Sequence, residues 1–126
     1  MKYTYNDIKA AYEKIGISKG MVISLKTDLR FLGPYSTNSQ NDMLEAHFNI
    51  LADLVDLSEG TIVVTTACTS LCNTNNIFDI KNTPSEMGSL TEHIRNQLGA
   101  VRSFHPFNSY TAIGKHADYI CTNNSR

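Results

Sequence analysis

A layered α/β fold is the class this sequence predicts: an α/β/α sandwich around a small, largely parallel sheet. Three observations carry that expectation. Segments with apolar residues at helical spacing alternate with short apolar runs in the order α-β-α-β-α-β-α, the pattern from which parallel sheets are wound. Turn signals such as Gly33-Pro34 and Ser58-Glu-Gly60 punctuate the segments. Of the 126 residues, 41% are hydrophobic and 18% charged, enough apolar surface to bury a core and too much for a disordered chain.

The first helix opens at Thr4, with Asp7 completing a short capping box. Ile8, Ala11, Tyr12 and Ile15 fall on one face, and Gly16 ends it. After the turn 17–20, Met21-Val-Ile-Ser-Leu25 reads as a buried strand. Residues 26–41 form a loop region, and a second helix begins near Asn41-Asp42 with Leu44, Phe48, Leu51 and Val55 on its apolar face. Thr61-Ile-Val-Val-Thr-Thr-Ala67 is β-branched almost throughout and is the clearest strand. Residues 69–82 are polar and irregular. Ser89-Leu-Thr-Glu92 has the form of a capping box for a third helix, faced by Leu90, Ile94 and Leu98 and closed by Gly99. Residues 100–109 read as a loop, Tyr110-Thr-Ala-Ile113 as a third strand, and Gly114 onward as a last helix before the polar end 121–126. Three or four strands leave at least one exposed sheet edge, a site for self-association.

Composition excludes several function classes. A net charge of −1 gives no general attraction to nucleic acid or to a membrane surface. No apolar run approaches the ~20 residues of a membrane span, and the N-terminus lacks a signal-peptide core, so the cytoplasm is expected. Cys68, Cys72 and Cys121 are an odd number of cysteines without an export signal, which argues against a disulfide framework. The spacing of Cys68 and Cys72 is not that of a zinc site, so no metal is expected and the thiols read as buried side chains. His47 and His93 read as exposed helical positions, and His116 as part of a terminal turn. No glycine-rich phosphate loop of a nucleotide-binding module is present.

Three segments remain as carriers of chemistry. Lys26-Thr-Asp-Leu-Arg-Phe-Leu-Gly33 follows the first strand, the end of a parallel sheet where ligands collect; read alone, it is equally an ordinary β-to-α loop. Phe78-Asp79 and Thr83-Pro-Ser-Glu-Met-Gly88 place two carboxylates beside a turn, which by itself fits a surface turn before a helix. Ala100-Val-Arg-Ser-Phe-His-Pro106 with Ser109 gathers an arginine, two serines and a histidine in one irregular stretch. His105 taken singly also suits a structural histidine bonded to backbone.

Together these segments resemble the aminoglycoside 3-N-acetyltransferase family of antibiotic acetyltransferases. The last matches the family's Ala-Val-Arg-Ser-Leu-His-Pro-Thr-His-Ser nearly residue for residue, with Asn108 where members often carry a second histidine. The first aligns with His-Ser-Ser-Leu-Arg-Ser-Leu-Gly, with Lys26, Thr27 and Asp28 replacing the family's His and both Ser. The resemblance implies acetyl transfer from acetyl-CoA to an amino group of an aminoglycoside or related amino sugar, directly within a ternary complex. It implies coenzyme contacts from Thr27, Asp28, Leu29, Arg30, Val101, Arg102 and Ser103, substrate contacts from Asp79 and Glu86, and a catalytic or supporting role for His105. Asp28 does not suit a pyrophosphate, because its carboxylate would repel it. The residues 1–126 then correspond to a single α/β domain or half-domain, the N-terminal half of a longer enzyme. The family's Asn-x-Thr-x-x-His-x-x-Glu segment, credited with base chemistry, has no counterpart here. The alternative is a non-catalytic remnant that binds at most coenzyme A or a partner, such as the missing C-terminal half.

Overall fold

A computed structural model describes residues 2–26, 28–29, 32–71, 74–105 and 108–122. Its regular elements are α1 (Tyr5–Lys14), β1 (Val22–Leu25), α2 (Gln40–Val55), β2 (Thr61–Thr65), α3 (Ser89–Arg95), β3 (Val101–Arg102), β4 (Tyr110–Gly114) and α4 (Ala117–Thr122), with a short 3-10 turn at Thr69–Leu71. The expected α/β architecture is present. Helices α2 and α3 pack on one face of the sheet and α4 on the other. Among the described residues no helix is long and apolar enough to cross a membrane.

The strands run in the order β1-β2-β4-β3. β1 and β2 are parallel, but β4 lies antiparallel to both β2 and β3. The sheet is therefore mixed, not largely parallel. The reason lies in Val101 and Arg102, read above as loop. They form a strand of their own, and the short connection 103–109 forces the chain to return antiparallel, since a parallel return needs a crossover of about a dozen residues or more. β1, β2 and β3 share one direction, and β4 is wedged among them against it.

The core follows the α2 face anticipated from spacing. Leu44, Phe48, Leu51 and Val55 are all buried against Ile62 and Val64 of β2, Ile113 of β4, and Leu90 and Ile94 of α3. α2 also buries its opposite side, with Ala46 and Ile50 packed against Ile8 and Tyr35. This corrects the reading of His47, which is 2% exposed: α2 lies between α1 and the sheet, so its solvated face narrows to the stripe of Asn41, Asp42, Glu45, Asn49 and Asp53, and His47 falls on the side that α1 covers. His93 is half-buried, with its ring edge-on to Phe48. His116 lies in the turn before α4, as expected, and is exposed.

Other expectations fail at the margins. β1 is an edge strand, with Val22 52% exposed and Ser24 exposed; only Ile23 and Leu25 reach the core. On α1 the capping box between Thr4 and Asp7 forms, but of the anticipated face only Ile8 is buried and Ile15 stands 73% exposed. α3 ends at Arg95, which leaves Leu98 fully solvated beyond it. Ser89 is the first residue of α3 rather than its cap, and Gly88 precedes it without a side-chain bond. Glu92 instead accepts two 2.6 Å bonds from Arg95, through Nε and Nη2, and one of 2.8 Å from the Ser85 amide. Arg95 Nη1 donates onward to the Lys81 carbonyl, so this pair ties α3 to the loop before it.

Two predictions arise from this packing. At Gly114, φ is +126° and an added Cβ would meet the Gly60 carbonyl oxygen and come within 2.8 Å of Thr61 Cα. Gly114→Ala is therefore expected to cost several-fold more in urea denaturation than Gly16→Ala, which has open space and should lose only about 1 kcal/mol. The Arg95 guanidinium holds the Glu92 carboxyl below its usual 4.5. A depressed folded value means a contribution present above 4.5 and lost as the pH falls through the lower folded value. The stability gap between wild type and Glu92→Gln should thus be widest near neutral pH and close in acid.

Candidate functional site

Because β1 and β2 are parallel, their C-terminal ends meet at one edge, where β4 also begins. Two clefts lie there. One, of about 660 Å³, is lined by Asp28, Leu29, Gln40, Met43 and the stretch Glu86–Leu90. The other, of about 510 Å³, is lined by Leu25, Lys26, Thr65, Ala67, Met87, Thr91 and residues Asn108–Tyr110. Met87 belongs to both, and stands between a cleft carrying two carboxylates and one carrying Lys26, hydroxyls and an amide.

The structure thus brings Asp28, Leu29 and Glu86 together, and the other anticipated residues that it describes do not line that cleft. Thr27 and Arg30 lie outside the described residues. Val101 and Arg102 line a separate hollow of about 440 Å³ with Lys81, Arg95 and Thr122. Asp79 organises its own loop. Its carboxylate accepts from the Lys81 amide at 2.9 Å and from Asn82 Nδ2 at 3.0 Å, and these bonds keep it below the usual carboxylate range.

Glu86 is fixed at both ends. Its amide donates to the Ala67 carbonyl, and its carboxylate accepts from the Ser70 amide at 3.1 Å and from the Ser70 hydroxyl. The loop after β2 therefore sets where this carboxylate stands in the cleft. His105 is exposed, and its Nδ1 accepts the Asn108 amide proton at 2.9 Å. An accepting Nδ1 on a neutral imidazole places the ring proton on Nε2.

Arg102 is 7% exposed, and its guanidinium is spent on the protein itself. Nε donates to Ser109 Oγ at 3.0 Å, Nη2 to the Thr66 carbonyl at 2.8 Å, and Nη1 to the Thr83 carbonyl. Its Cζ lies 4.8 Å from the Phe78 ring centroid, a cation–π contact. Ser109 in turn donates to the Thr66 carbonyl, and Thr111 bonds to Thr66 through their hydroxyls. The Ser103 hydroxyl accepts from the Tyr110 amide at 2.8 Å. Arg102 and Ser103 therefore reach the Lys26 cleft through Ser109 and Tyr110, which form its wall.

Sequence reasoning missed Met87, Tyr110 and Thr66 as parts of the site. Only Thr66 had a readable signal: a hydroxyl inside the most apolar strand run needs a buried partner. Cys68 and Cys121 are buried thiols, as anticipated, and Cys72 lies outside the described residues. Burial pushes the Cys68 thiol up despite Arg102 Nη2 at 3.7 Å, which keeps it protonated and a poor nucleophile. Among the described residues no group of three or more His, Cys, Asp or Glu could hold a metal ion.

Removing Arg102 would take a charged donor from three acceptors at once, two of them buried, and would open the space its guanidinium fills against Phe78. Arg102→Ala is expected to lose about 3 kcal/mol or more in urea denaturation, and Arg102→Lys to recover little, because an ammonium cannot span the same fork.

Residues 25–126 match the family model for aminoglycoside 3-N-acetyltransferase. In structure the chain is similar to the YokD protein from Bacillus subtilis, with a TM-score of 0.81 and 24% identity over 94% of this chain and 53% of that one. It is similar to AAC-VIa bound to sisomicin, with a TM-score of 0.77 and 21% identity over 99% of this chain and 51% of that one. It is also similar to AAC-IIIb in a binary complex with CoASH, with a TM-score of 0.79 and 18% identity over 98% and 50%. At such identities the likeness speaks for the fold. The chain spans about half the length of these structures. No curated protein matches it by sequence.

Proposed function

We propose that this chain, which belongs to the aminoglycoside 3-N-acetyltransferase family, serves acetyl-CoA-dependent acetylation of an amino group on an aminoglycoside antibiotic or related amino sugar. The observation that carries the reading is the pair of unlike clefts divided by Met87. Such a reaction must hold a polyanion and a polycation side by side. Asp28 and Glu86 suit the ammonium groups of the sugar; Lys26, Thr65 and Asn108 suit phosphate oxygens. Two solved relatives support the assignment, one bound to sisomicin and one to CoASH.

This division moves Asp28 from the coenzyme to the substrate side, which removes the electrostatic conflict noted in the sequence. Val101, Arg102 and Ser103 act on the coenzyme side by positioning Ser109 and Tyr110. Thr27 and Arg30 remain coenzyme candidates by resemblance, Leu29 moves with Asp28 to the wall of the substrate cleft, and Asp79 is an outlying substrate-side carboxylate.

Acetyl-CoA would supply the acetyl thioester. The chain's own part is to orient the amine and to stabilise charge on the acetyl oxygen. With Nδ1 engaged by backbone, His105 suits hydrogen-bond donation from Nε2 better than removal of the amine proton. That engagement favours a second reading, coenzyme or substrate binding without turnover by this chain alone. The cytoplasm is the compartment that holds the thioester this reading requires.

Sisomicin and acetyl-CoA incubated with the chain, with thiol release followed over time, separate the two readings. The first expects turnover, with Glu86→Gln raising KM for sisomicin roughly tenfold and Lys26→Glu raising KM for acetyl-CoA by a similar factor. The second expects no thiol release but saturable CoASH binding, weakened by Lys26→Glu. Absence of both turnover and binding would end the proposal.

A further inference from the structure

The Glu86 carboxylate is aimed by a residue that does not itself line the cleft. Glu86 is exposed on an irregular stretch in the wall of the cleft of about 660 Å³. A glutamate has several rotatable bonds, and an untethered one would sweep a wide arc. Ser70 holds both of its oxygens: the Ser70 amide donates to Oε1 at 3.1 Å and the hydroxyl donates to Oε2. Two donors on two oxygens fix the plane of a carboxylate as well as its position. Both donors are neutral groups, so neither cancels the negative charge that they orient.

Backbone and side chain of Glu86 are referred to the same short segment. The Glu86 amide donates to the Ala67 carbonyl at 3.0 Å, and Ser70 follows three residues later in the 3-10 turn Thr69–Leu71. The Leu71 amide closes that turn onto the Cys68 carbonyl at 3.2 Å. Just before it, the Thr66 amide donates to the Ser109 carbonyl at 2.8 Å, which ties the segment to the start of β4. A carboxylate on an irregular loop thus takes its direction from the end of β2.

The loop around Glu86 has moorings of its own. Arg102 Nη1 donates to the Thr83 carbonyl, the Ser85 amide to Glu92 Oε1 at 2.8 Å, and the Met87 amide to Ser85 Oγ at 3.1 Å. Ser85 Oγ also lies 2.7 Å from Thr91 Oγ1. Loss of the Ser70 hydroxyl would therefore release the Glu86 side chain and leave the loop's backbone in place. A hydrogen bond between two exposed side chains adds little to stability. Its effect falls on the cleft.

We propose, resting on the amine-binding reading of this cleft, that Ser70 is a positioning residue for amine recognition. By holding Glu86 in one orientation before the sugar arrives, it spares the ordering cost that a mobile carboxylate would incur on binding. Ser70 acts through Glu86 and makes no contact with the sugar.

The test is calorimetric titration of the full chain with sisomicin, using Ser70→Ala, Ser70→Thr, Glu86→Gln and the double variant Ser70→Ala/Glu86→Gln. Ser70→Ala is expected to weaken sisomicin binding about fivefold and Ser70→Thr to restore it. The urea midpoint and CoASH affinity of Ser70→Ala should match those of the wild type. Where turnover is measured, KM for sisomicin should rise and kcat should not. In the Glu86→Gln background, removing the hydroxyl should have no further effect, because the two residues act as one unit. If Ser70→Ala binds sisomicin as tightly as the wild type while Glu86→Gln binds it more weakly, the role of Ser70 is overturned and the amine cleft stands. Additive losses in the double variant would likewise overturn it. Failure of the unaltered chain to bind sisomicin at all would overturn the amine-cleft reading, and the role of Ser70 with it.

Discussion

A full positive charge inside the protein organises the end of the sheet where the clefts open. Arg102 sits almost out of solvent, and a guanidinium there is tolerable only if its donors are satisfied. It meets that requirement by recruiting the Thr66 and Thr83 carbonyls, the Ser109 hydroxyl and the Phe78 ring. These acceptors come from segments far apart in the chain: the exit of β2, the loop before α3 and the entrance to β4. Among the described residues between 66 and 88 the regular structure is one short 3-10 turn, so the irregular stretches are held by side chains, and Arg102 is the one that joins three of them.

Around that anchor the chain sorts charge by position. Glu86 is held by Ser70 on one side of Met87, while Lys26 leaves β1 on the other. The sorting is a result of topology. The parallel pairing of β1 with β2 puts Lys26 and the loop after Thr65 at one edge, and the antiparallel return of β4 delivers Asn108 to Tyr110 to the same place. Had β4 run parallel, its beginning, and with it Ser109, would lie at the opposite end of the sheet.

Much of the fold was legible because local pattern and tertiary role agree. The α2 face is an example: the spacing of Leu44, Phe48, Leu51 and Val55 is what a sheet-facing helix needs, and all four are buried. The strand direction of β4 was not legible, because a strand of two residues at Val101-Arg102 leaves no periodic trace. His47 shows a different limit. Its burial depends on α1 covering the second face of α2, a property of assembly that a single helix's pattern does not contain. At the site, the motif at 100–109 marked the right region. It did not reveal that Arg102 points inward, since a charged residue beside a loop looks the same in sequence whether it meets a ligand or the backbone.

Met87 is the partition between the two clefts, and its nature sets how strict that partition is. A thioether on an unbranched chain turns easily about several bonds and adapts its shape to what it touches. A wall made of such a side chain yields to guests of different bulk, in contrast to the rigid ring or branched carbon that enforces a single fit. In the function proposed above, selectivity between similar sugars would rest on the carboxylates of Asp28 and Glu86, and the breadth of accepted guests on the softness of one methionine.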